Sequence, residues 1–407
     1  MERNYPVYTV TKKAELSLKN GHPWVYGEEV VDMSEVCPDG ALADVRGAKG
    51  NYLGTGYVNS KSKIRVRVIS TNANDRFDEA FYQRRVKYAV DYRRQVMGED
   101  FDSCRLVFGE ADMLPGLTVD KFGSVLVIES LCLGTDVRKD IIIPALVDYL
   151  RSLGETVDAV YERNDSAIRA LEGMEEYKAF YRHEGLRTDL DGRVVITENG
   201  IKYDVDYING QKTGFFLDQK YNRLAVKRIA KGRRVLDCFT HTGAFALNAA
   251  LGGAEKVTAV DISPQAIELA KANAALNGID MDFITADVFD LLTELYEKRS
   301  RDYDFIILDP PAFTKSSATA KNAYKGYKEI NMKAMRILPR GGYLATCSCS
   351  HFMYDDMFRS MLREAAHDAG VTLRQIEARQ QAPDHPILPT VKETDYLKFY
   401  LFQVVRN

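Results

Sequence analysis

The chain has 407 residues, of which 45% are hydrophobic and 28% are charged, and its formal net charge at pH 7 is −3. This length exceeds one ordinary domain, so we expect two or three domains with sizeable cores. The charge balance excludes a polycation, and nucleic-acid binding would depend on local basic patches. No run approaches the roughly 18–20 apolar residues that span a bilayer, and the N-terminus lacks a secretory pattern. We therefore predict a cytoplasmic protein with no membrane association.

Six cysteines are scattered along the chain, which is not the spacing of a disulfide framework and fits a reducing compartment. They are Cys37, Cys104, Cys132, Cys238, Cys347 and Cys349. The last two form an isolated C-x-C pair with no further Cys or His close by, whereas a zinc site needs about four ligands. We therefore predict no metal site.

The first 72 residues have the pattern of short strands, with extended runs at 5–10 and 63–70 and frequent glycines, which predicts a small β-barrel-like domain. One stretch alternates basic with apolar side chains, the period of a strand with one solvated basic face. Its basic residues are Lys61, Lys63, Arg65 and Arg67. Both a nucleic-acid contact and an ordinary solvated face are consistent with this pattern.

The middle of the chain, residues 73–193, predicts a central α/β domain. A helix is expected over 76–97, followed by strand-like runs at 124–133 and 159–162 with a helical pattern at 140–153 between them. We find no catalytic constellation here. The predicted helix carries a second basic cluster among tyrosines, for which the same two interpretations are open.

From residue 194 to residue 407, strands and helices alternate after a hairpin signal at Asn199-Gly200. Predicted strands lie at 234–237, 256–261, 282–285, 305–308 and 342–347. A helical pattern separates each of these strands from the next. This alternation predicts a mostly parallel, doubly wound sheet with right-handed crossovers, so the fold class is α/β.

Carboxylates follow three successive predicted strands. The first strand leads from Asp237 to Gly243 in a loop that resembles the D-x-x-x-x-x-G motif of class I methyltransferases. Because the loop is not G-x-G-x-x-G, a dinucleotide-dependent dehydrogenase is disfavoured. Asp261 ends the second strand and Asp287 follows the third, where such acids can bind the ribose and adenine of a nucleoside. Asp287 can equally be a helix N-cap.

The fourth and fifth predicted strands bring an acid and a thiol to the same edge. Residues 309–313 read D-P-P-A-F, a rigid exposed loop of a kind typical of methyltransferases that act on nucleic-acid bases. Cys349 lies just past the end of the fifth strand, beside this loop. A thiolate that adds to C6 of a pyrimidine makes C5 nucleophilic. We predict Asp309 and Cys349 as catalytic residues, with Cys349 as the nucleophile in preference to Cys347, and simple packing of the cysteine as the alternative.

Taken together, these residues show that the chain resembles the bacterial 23S rRNA cytosine-C5 methyltransferase family that carries an N-terminal PUA domain. The similar segments are 21–26, 63–68, 114–120 and, most specifically, 210–219. The resemblance covers nearly the whole length. It implies a PUA RNA-binding domain at 1–72, a central domain at 73–193 and a Rossmann-like class I methyltransferase domain at 194–407.

The resemblance also implies S-adenosylmethionine as cofactor and large-subunit rRNA, or its precursor particle, as partner. The cofactor-binding residues that it implies are Lys212, Phe215 and Gln219 for the methionine portion, Asp237, Phe239, Thr242 and Gly243 for the cradle, and Asp261, Ile262 and Asp287 for the nucleoside. Cys349 matches the family's nucleophile, and the basic strand is expected to contact RNA phosphates. The second cysteine, Cys347, is a departure that makes the assignment less clean.

Two alternatives to cytosine-C5 methylation stay open. The first is methylation of a purine or an exocyclic nitrogen through residues 309–313 without a covalent step. The second is an RNA-binding ribosome-assembly protein without catalysis. In the reaction that we favour, the target base is rotated out of its stack. The sequence does not reveal which nucleotide is modified, whether naked rRNA or a particle is bound, which group removes the C5 proton, or whether the chain forms a homodimer.

Overall fold

A computed structural model of the chain describes residues 4–314 and 319–406. The start of the segment used for the N-terminal prediction, residues 1–3, lies outside the described part. The chain divides into two compact units. The first contains Met1–Ile196, Val205–Leu217 and Pro383–Thr394, and the second contains Thr197–Asp204, Asp218–Ala382 and Asp395–Asn407.

The N-terminal part of the first unit is a six-stranded sheet, in agreement with the predicted β-rich region. Its elements are β1 (Val7–Val10), α1 (Lys12–Lys19), β2 (Trp24–Tyr26), β3 (Val30–Met33), β4 (Leu42–Gly47), β5 (Tyr52–Val58) and β6 (Ile64–Ser70). The strand order is β2-β6-β5-β4-β1-β3, and only β1 and β4 pair in parallel. A Cβ atom at Gly56 would lie 2.3 Å from the carbonyl oxygen of Arg67, so glycine permits the close approach of β5 and β6.

The rest of the first unit contains a second, five-stranded sheet with the order β11-β10-β9-β8-β7. Its elements are α2 (Glu79–Met97), β7 (Ser103–Phe108), β8 (Leu117–Phe122), β9 (Val125–Ser130), α3 (Leu133–Asp136), α4 (Lys139–Ser152), β10 (Ala159–Asn164), α5 (Ile168–Leu171) and β11 (Tyr177–Phe180). Strands β9 and β10 are parallel and are joined by the helical crossover that the sequence predicts. The long predicted helix begins at Glu79 because Asp78 accepts a hydrogen bond from the amide of Phe81 as its N-cap.

A two-stranded hairpin, β12 (Arg193–Glu198) and β13 (Ile201–Asp206), follows. Its turn residues Asn199 and Gly200 have φ values of 55° and 83°, as the Asn-Gly signal predicts. The assignment of Val205–Leu217 and Pro383–Thr394 to the first unit was not predicted. The division into domains at 1–72, 73–193 and 194–407 stays a prediction.

The second unit is built on a seven-stranded sheet with the order β16-β15-β14-β17-β18-β20-β19. Its strands are β14 (Arg234–Cys238), β15 (Lys256–Asp261), β16 (Asp282–Thr285), β17 (Phe305–Leu308), β18 (Tyr343–Ser348), β19 (Thr372–Arg379) and β20 (Lys398–Val405). Its helices are α6 (Lys220–Ile229), α7 (Ala244–Leu251), α8 (Pro264–Leu276), α9 (Val288–Glu297), α10 (Ala320–Ile337) and α11 (Asp355–Ala369). The parallel, doubly wound sheet is confirmed, and an antiparallel pair, β20 and β19, extends it.

Both faces of this sheet are buried. Successive residues of a strand point to opposite faces, so Val235 packs in one apolar cluster and Leu236 in the other. The order of the parallel strands reverses between β14 and β17, and ligands of such folds bind beyond the carboxyl ends of the strands at this switch point. No helix among the described residues is long and apolar enough to cross a membrane.

Candidate active site

The loop between β14 and α7 has an unusual backbone. Phe239, His241 and Gly243 have φ values of 65°, 49° and 80°. A non-glycine residue in this region costs roughly 1–3 kcal/mol, and such strain concentrates at ligand-binding sites. A Cβ atom at Gly243 would lie 3.1 Å from the Cβ of Ala270, so glycine also lets this loop approach α8 closely. Thr242, beside it, is buried.

Asp237, at the end of β14, is completely buried. Its Oδ2 accepts hydrogen bonds from Thr240 Oγ1 at 2.6 Å and from the amide of Ala246 at 3.0 Å. Its Oδ1 has no hydrogen-bond partner among the described residues. Burial raises the pKa of Asp237 to about 7; the charges of Asp309 and Asp261 act in the same direction, while its hydrogen bonds oppose the rise. The site thus holds a buried carboxyl oxygen with unused capacity to accept a hydrogen bond.

The two other strand-end acids have local backbone partners. Asp261 accepts hydrogen bonds from the amides of His241 and Ser263, each at 2.9 Å. Ile262 beside it is 64% exposed. Asp287 accepts a hydrogen bond from the amide of Phe289 at 2.7 Å through its Oδ1 and caps α9, so this carboxylate is an N-cap, and its role in cofactor binding stays a prediction.

Asp309 follows β17 and is tied into a chain of amide side chains. Gln219 Nε2 donates to Asp309 Oδ1 at 2.9 Å, and Asn222 Nδ2 donates to Gln219 Oε1 at 2.6 Å. Desolvation raises the pKa of Asp309 to about 7, and the charge of Asp218 adds to the rise. Because that pKa lies near neutrality, the carboxyl group is present in both protonation states at pH 7.

The two cysteines of β18 have different environments. Cys347 is completely buried between an apolar cluster and the side chains of Asp309 and Gln219, with which its thiol forms hydrogen bonds. Burial, followed by the charge of Asp309, raises the pKa of this thiol well above the usual value. Cys349 follows the strand and is half-buried. Its Sγ lies 4.0 Å from the carbonyl oxygen of Pro310, in the loop that also carries Asp309. Of these two thiols, that of Cys349 is the one that is both partly exposed and located at the carboxyl ends of the parallel strands.

A lysine that sequence reasoning missed lies beside Cys349. The Nζ of Lys398, on β20, donates to the carbonyl oxygens of Ser350 and Tyr396, each at 2.8 Å. The hydroxyl groups of Tyr327 and Ser350 are 2.9 Å apart. No sequence motif contains Lys398. It reaches the site because β20, far along the chain from Cys349, pairs antiparallel with β18.

Two residues implied to bind the cofactor belong to the first unit rather than the second. Lys212 is exposed, has a φ of 50°, and its Nζ lies 5.5 Å from the ring centroid of Phe216. Phe215 is buried, with 4% exposure. Gln219, the third residue of this group, lies in the second unit against Asp309.

The basic strand β6 differs in part from the sequence expectation. Lys61 and Lys63 are exposed and Arg65 is half-buried. The side chain of Arg67, however, is only 13% exposed and forms ion pairs with Glu110 at 3.0 Å and Glu172 at 3.1 Å. The guanidinium of Arg67 therefore does not lie on a solvated face, because two carboxylates of the same unit pair with it, and its contact with RNA stays a prediction.

Comparison with known proteins identifies the family. Residues 146–403 match the sequence profile described as S-adenosylmethionine-dependent methyltransferase, which is more than half of the chain. The chain belongs to the S-adenosylmethionine-dependent methyltransferase family. Residues 9–71 match a PUA-like domain, in agreement with the β-rich N-terminal region. The methyltransferase is thus an α/β protein with a PUA-like domain at its N-terminus, as predicted.

Its curated relatives match over almost their full length. The methyltransferase is 38% identical over 405 residues to ribosomal RNA large subunit methyltransferase I of Klebsiella pneumoniae strain 342, covering 98% of this chain and 99% of the relative. It is 38% identical over 402 residues to the protein of the same name from Escherichia coli O139:H28, covering 97% and 98%.

Solved structures share the fold. A SAM-dependent methyltransferase from Streptococcus mutans has a TM-score of 0.81 at 23% identity, covering 98% of this chain and 99% of that one. A methyltransferase solved in complex with SAH has a TM-score of 0.80 at 22% identity over the same shares.

The cofactor of the methyltransferase is S-adenosylmethionine, and the residues of the second unit fit it. Asp237 has a buried carboxyl oxygen without a partner among the described residues, in a strained loop where glycine removes side-chain bulk. Ile262 offers an exposed apolar surface next to the carboxylate of Asp261. A nucleoside with an amino-acid tail requires both an apolar surface and acceptors for its hydroxyl and amino groups.

Proposed function

We propose that the methyltransferase modifies C5 of a cytosine in large-subunit rRNA through a covalent bond from Cys349. The observation that carries this proposal is the difference in exposure between the two cysteines at β18: Cys349 is half-exposed beside the loop of Asp309, whereas Cys347, although it contacts Asp309, is completely buried. Two further findings support an rRNA substrate. The curated relatives are named as methyltransferases of large-subunit rRNA, and the PUA-like domain provides a module separate from the sheet.

The proposed cofactor residues divide by the part of the molecule that they would hold. Asp261, Ile262 and Asp287 would bind the nucleoside, and the loop from Asp237 to Gly243, with Phe239 and Thr242, would cradle the amino-acid portion. Lys212, Phe215 and Gln219 would approach the methionine portion. When bound, S-adenosylmethionine supplies an electrophilic methyl group.

The residues of the chain then account for the activation of the base. The thiolate of Cys349 adds to C6, which forms an S–C6 bond and moves the electron pair of the C5–C6 double bond towards C5. C5, now a nucleophile, accepts the methyl group. Loss of the C5 proton to a base and cleavage of the S–C6 bond restore the aromatic ring and the thiolate.

Asp309 is suited to hold the pyrimidine during this addition. Because its pKa is about 7, its protonated form can donate a hydrogen bond to the ring nitrogen N3, which gains electron density when sulfur adds to C6. The hydrogen bond from Gln219 fixes the carboxyl group in one orientation. The base must leave its stack to expose the face of the ring.

For the RNA itself, we propose contacts from Lys61, Lys63 and Arg65. The two lysines are exposed, and all three residues lie on or directly before β6 of the PUA-like domain. Phosphate contacts of this kind give affinity without sequence specificity.

The test is to trap the covalent intermediate with rRNA fragments that contain 5-fluorocytosine. Fluorine at C5 cannot leave as a proton would, so wild-type protein with S-adenosylmethionine should form a stable protein–RNA adduct. Cys349→Ala should form none, whereas Cys347→Ser should retain the adduct. Methylation of rRNA without any adduct would instead favour a purine or exocyclic nitrogen as the target.

Mass-spectrometric mapping of rRNA from cells with and without the protein identifies the nucleotide. The proposal requires a 5-methylcytosine that disappears in the deletion strain and returns with the wild-type gene. Binding of S-adenosylmethionine without any change in the rRNA would favour an assembly role.

A further inference from the structure

Lys398 lies next to Cys349, the residue that we propose as nucleophile. Strand β20 runs antiparallel to β18, and the register places Lys398 opposite Ser348. Its side chain then reaches to the carbonyl oxygen of Ser350, to which Nζ donates at 2.8 Å. The lysine therefore contacts the chain on both sides of Cys349, at the residue before it and at the residue after it.

Within the part of the chain that the structure describes, the ammonium group has no carboxylate partner. Lys398 is 5% exposed, and both hydrogen-bond acceptors of its Nζ are neutral backbone carbonyls, of Ser350 and Tyr396. Among the described residues, it takes part in no ion pair with an acid. A buried charge without a counter-charge is costly, and structural lysines are therefore normally paired. Burial accordingly lowers the pKa of Lys398 to about 8.

We propose that Lys398 is a positioning residue whose buried positive charge holds Cys349 in its thiolate form, ready for addition to C6 of the pyrimidine. This inference rests on the proposed function of Cys349. A nearby ammonium group favours the charged form of a thiol, and the thiolate in turn is the counter-charge that the lysine lacks. Against the lowering of the lysine pKa by burial, Cys349 is the neighbouring group that most favours the charged form of Lys398.

The other titratable groups around the thiol do not supply that positive charge. On α10, burial and the charge of Cys349 raise the pKa of Tyr327 to about 12, which keeps it neutral. Cys347 on β18 is buried and its thiol stays protonated. Asp355 and Asp395 act on the lysine less than Cys349 does and have partners of their own, Arg359 with Tyr400 for the first and Gln380 for the second.

Two further groups lie near the same edge. Asp309 is an acid and would disfavour a thiolate when ionised. His351 is exposed and packs its ring 5.5 Å from that of Tyr396. Because water and salt screen a charge on the exposed ring of His351, the buried ammonium of Lys398 is the positive group that acts on Cys349 with the least screening.

The test measures the thiol directly, without RNA or methyl transfer. The full-length protein is alkylated with iodoacetamide between pH 6 and pH 10, and the rate at Cys349 is followed by mass spectrometry of its peptide. In wild-type protein we expect a midpoint below about 8.5, the value of a free cysteine. In Lys398→Met the midpoint should rise by about one pH unit or more, with a roughly tenfold lower rate at pH 7.

Matched variants separate charge from folding. Lys227→Met removes a half-buried lysine of the second unit, whose Nζ likewise donates to a backbone carbonyl, that of Asn199 at 2.7 Å, and it should leave the midpoint at Cys349 unchanged. Lys398→Arg keeps the positive charge and should lie closer to wild type than Lys398→Met does. An unchanged midpoint in a folded Lys398→Met protein that still binds S-adenosylmethionine would overturn the proposal.

The wild-type measurement keeps the inference falsifiable even if Lys398→Met does not fold, because a wild-type midpoint at or above about 8.5 contradicts it. The outcome is also distinguishable from failure of the proposed function. Methyl transfer by Cys349→Ala would remove the covalent step, while the alkylation profile would still report whether the lysine lowers the thiol pKa.

Discussion

Charged side chains are buried in two regions of the molecule, and the regions differ in whether these side chains have a partner of opposite charge. In β6 of the first unit, the guanidinium of Arg67 is matched by the carboxylates of Glu110 and Glu172. At the carboxyl edge of the sheet in the second unit, Asp237 keeps a carboxyl oxygen without a partner among the described residues, and Lys398 is held by neutral carbonyls.

The difference separates structural charge from charge that is available for chemistry. Matched buried ions are neutralised in place and contribute to the architecture of a domain. Unmatched ones shift their pKa values towards neutrality, as Asp237, Asp309 and Lys398 do, and groups of this kind concentrate at functional sites. The following experiments test this distinction.

The largest effect, a loss of methyl transfer, is expected from replacing Cys349 at the carboxyl ends of the parallel strands. Cys349→Ala should reduce methyl transfer to rRNA on the order of a thousandfold or more, because loss of a covalent nucleophile removes the step on which the others depend. Affinity for S-adenosylmethionine, measured by calorimetry, should not change. Cys347→Ser, which keeps a hydrogen-bonding group next to Asp309, is the control and should retain activity within a few-fold. Full turnover by Cys349→Ala would exclude the thiolate mechanism.

The unmatched carboxyl group of Asp237 should appear in the pH dependence of stability. Its pKa is raised from 3.8 to about 7 in the folded chain, so the folded state binds more protons than the unfolded state between these values. The free energy of unfolding should therefore fall as pH rises from about 4 to 7, by up to about 4 kcal/mol, and this contribution should level off above pH 7.

Asp237→Asn should remove this part of the decrease, as measured by urea unfolding at several pH values. Asp282→Asn changes a carboxylate whose side chain is 59% exposed, and it should leave the pH profile as in wild type. Identical profiles for wild type and Asp237→Asn would contradict the assignment.

The matched charge of Arg67 should matter for stability instead. Arg67→Met removes the cation that pairs with two largely buried carboxylates, which keep hydrogen bonds from Trp24 and Asn59, and it should lower the free energy of unfolding by about 3 kcal/mol. Lys63→Met, at an exposed position next to the same strand, should change it by less than about 0.5 kcal/mol. Equal effects of the two substitutions would mean that the ion pairs do not stabilise the first unit.

The smallest effect concerns RNA affinity. Replacing both Lys61 and Lys63 by Ala should weaken rRNA binding several-fold, and each phosphate interaction that disappears should reduce the slope of log K against log salt concentration by about one. Lys49→Ala, at an exposed position after β4, is the comparison. A double variant with the wild-type salt slope would show that these lysines do not bind phosphate.

Much of the second unit follows from the sequence. Strands β15, β16 and β17 begin and end at the predicted residues. Each is a short run rich in apolar and β-branched side chains that lies between two helical patterns. The helix after β15 begins at Pro264, capped by the Ser263 side chain. The antiparallel strands β19 and β20 and the helix α11 were not predicted, since no motif lies in them.

The sequence by itself determined that acids and a thiol follow successive parallel strands, because strand, loop and helix are local patterns and parallel strands end at a common edge. Only the tertiary structure decided which charges are matched. Arg67 finds Glu110 and Glu172 at separations of 43 and 105 residues, and Lys398 reaches Ser350 across 48. Alternation along a strand shows which side chains share a face, but pairing between distant segments decides whether that face meets water, a carboxylate or a cysteine.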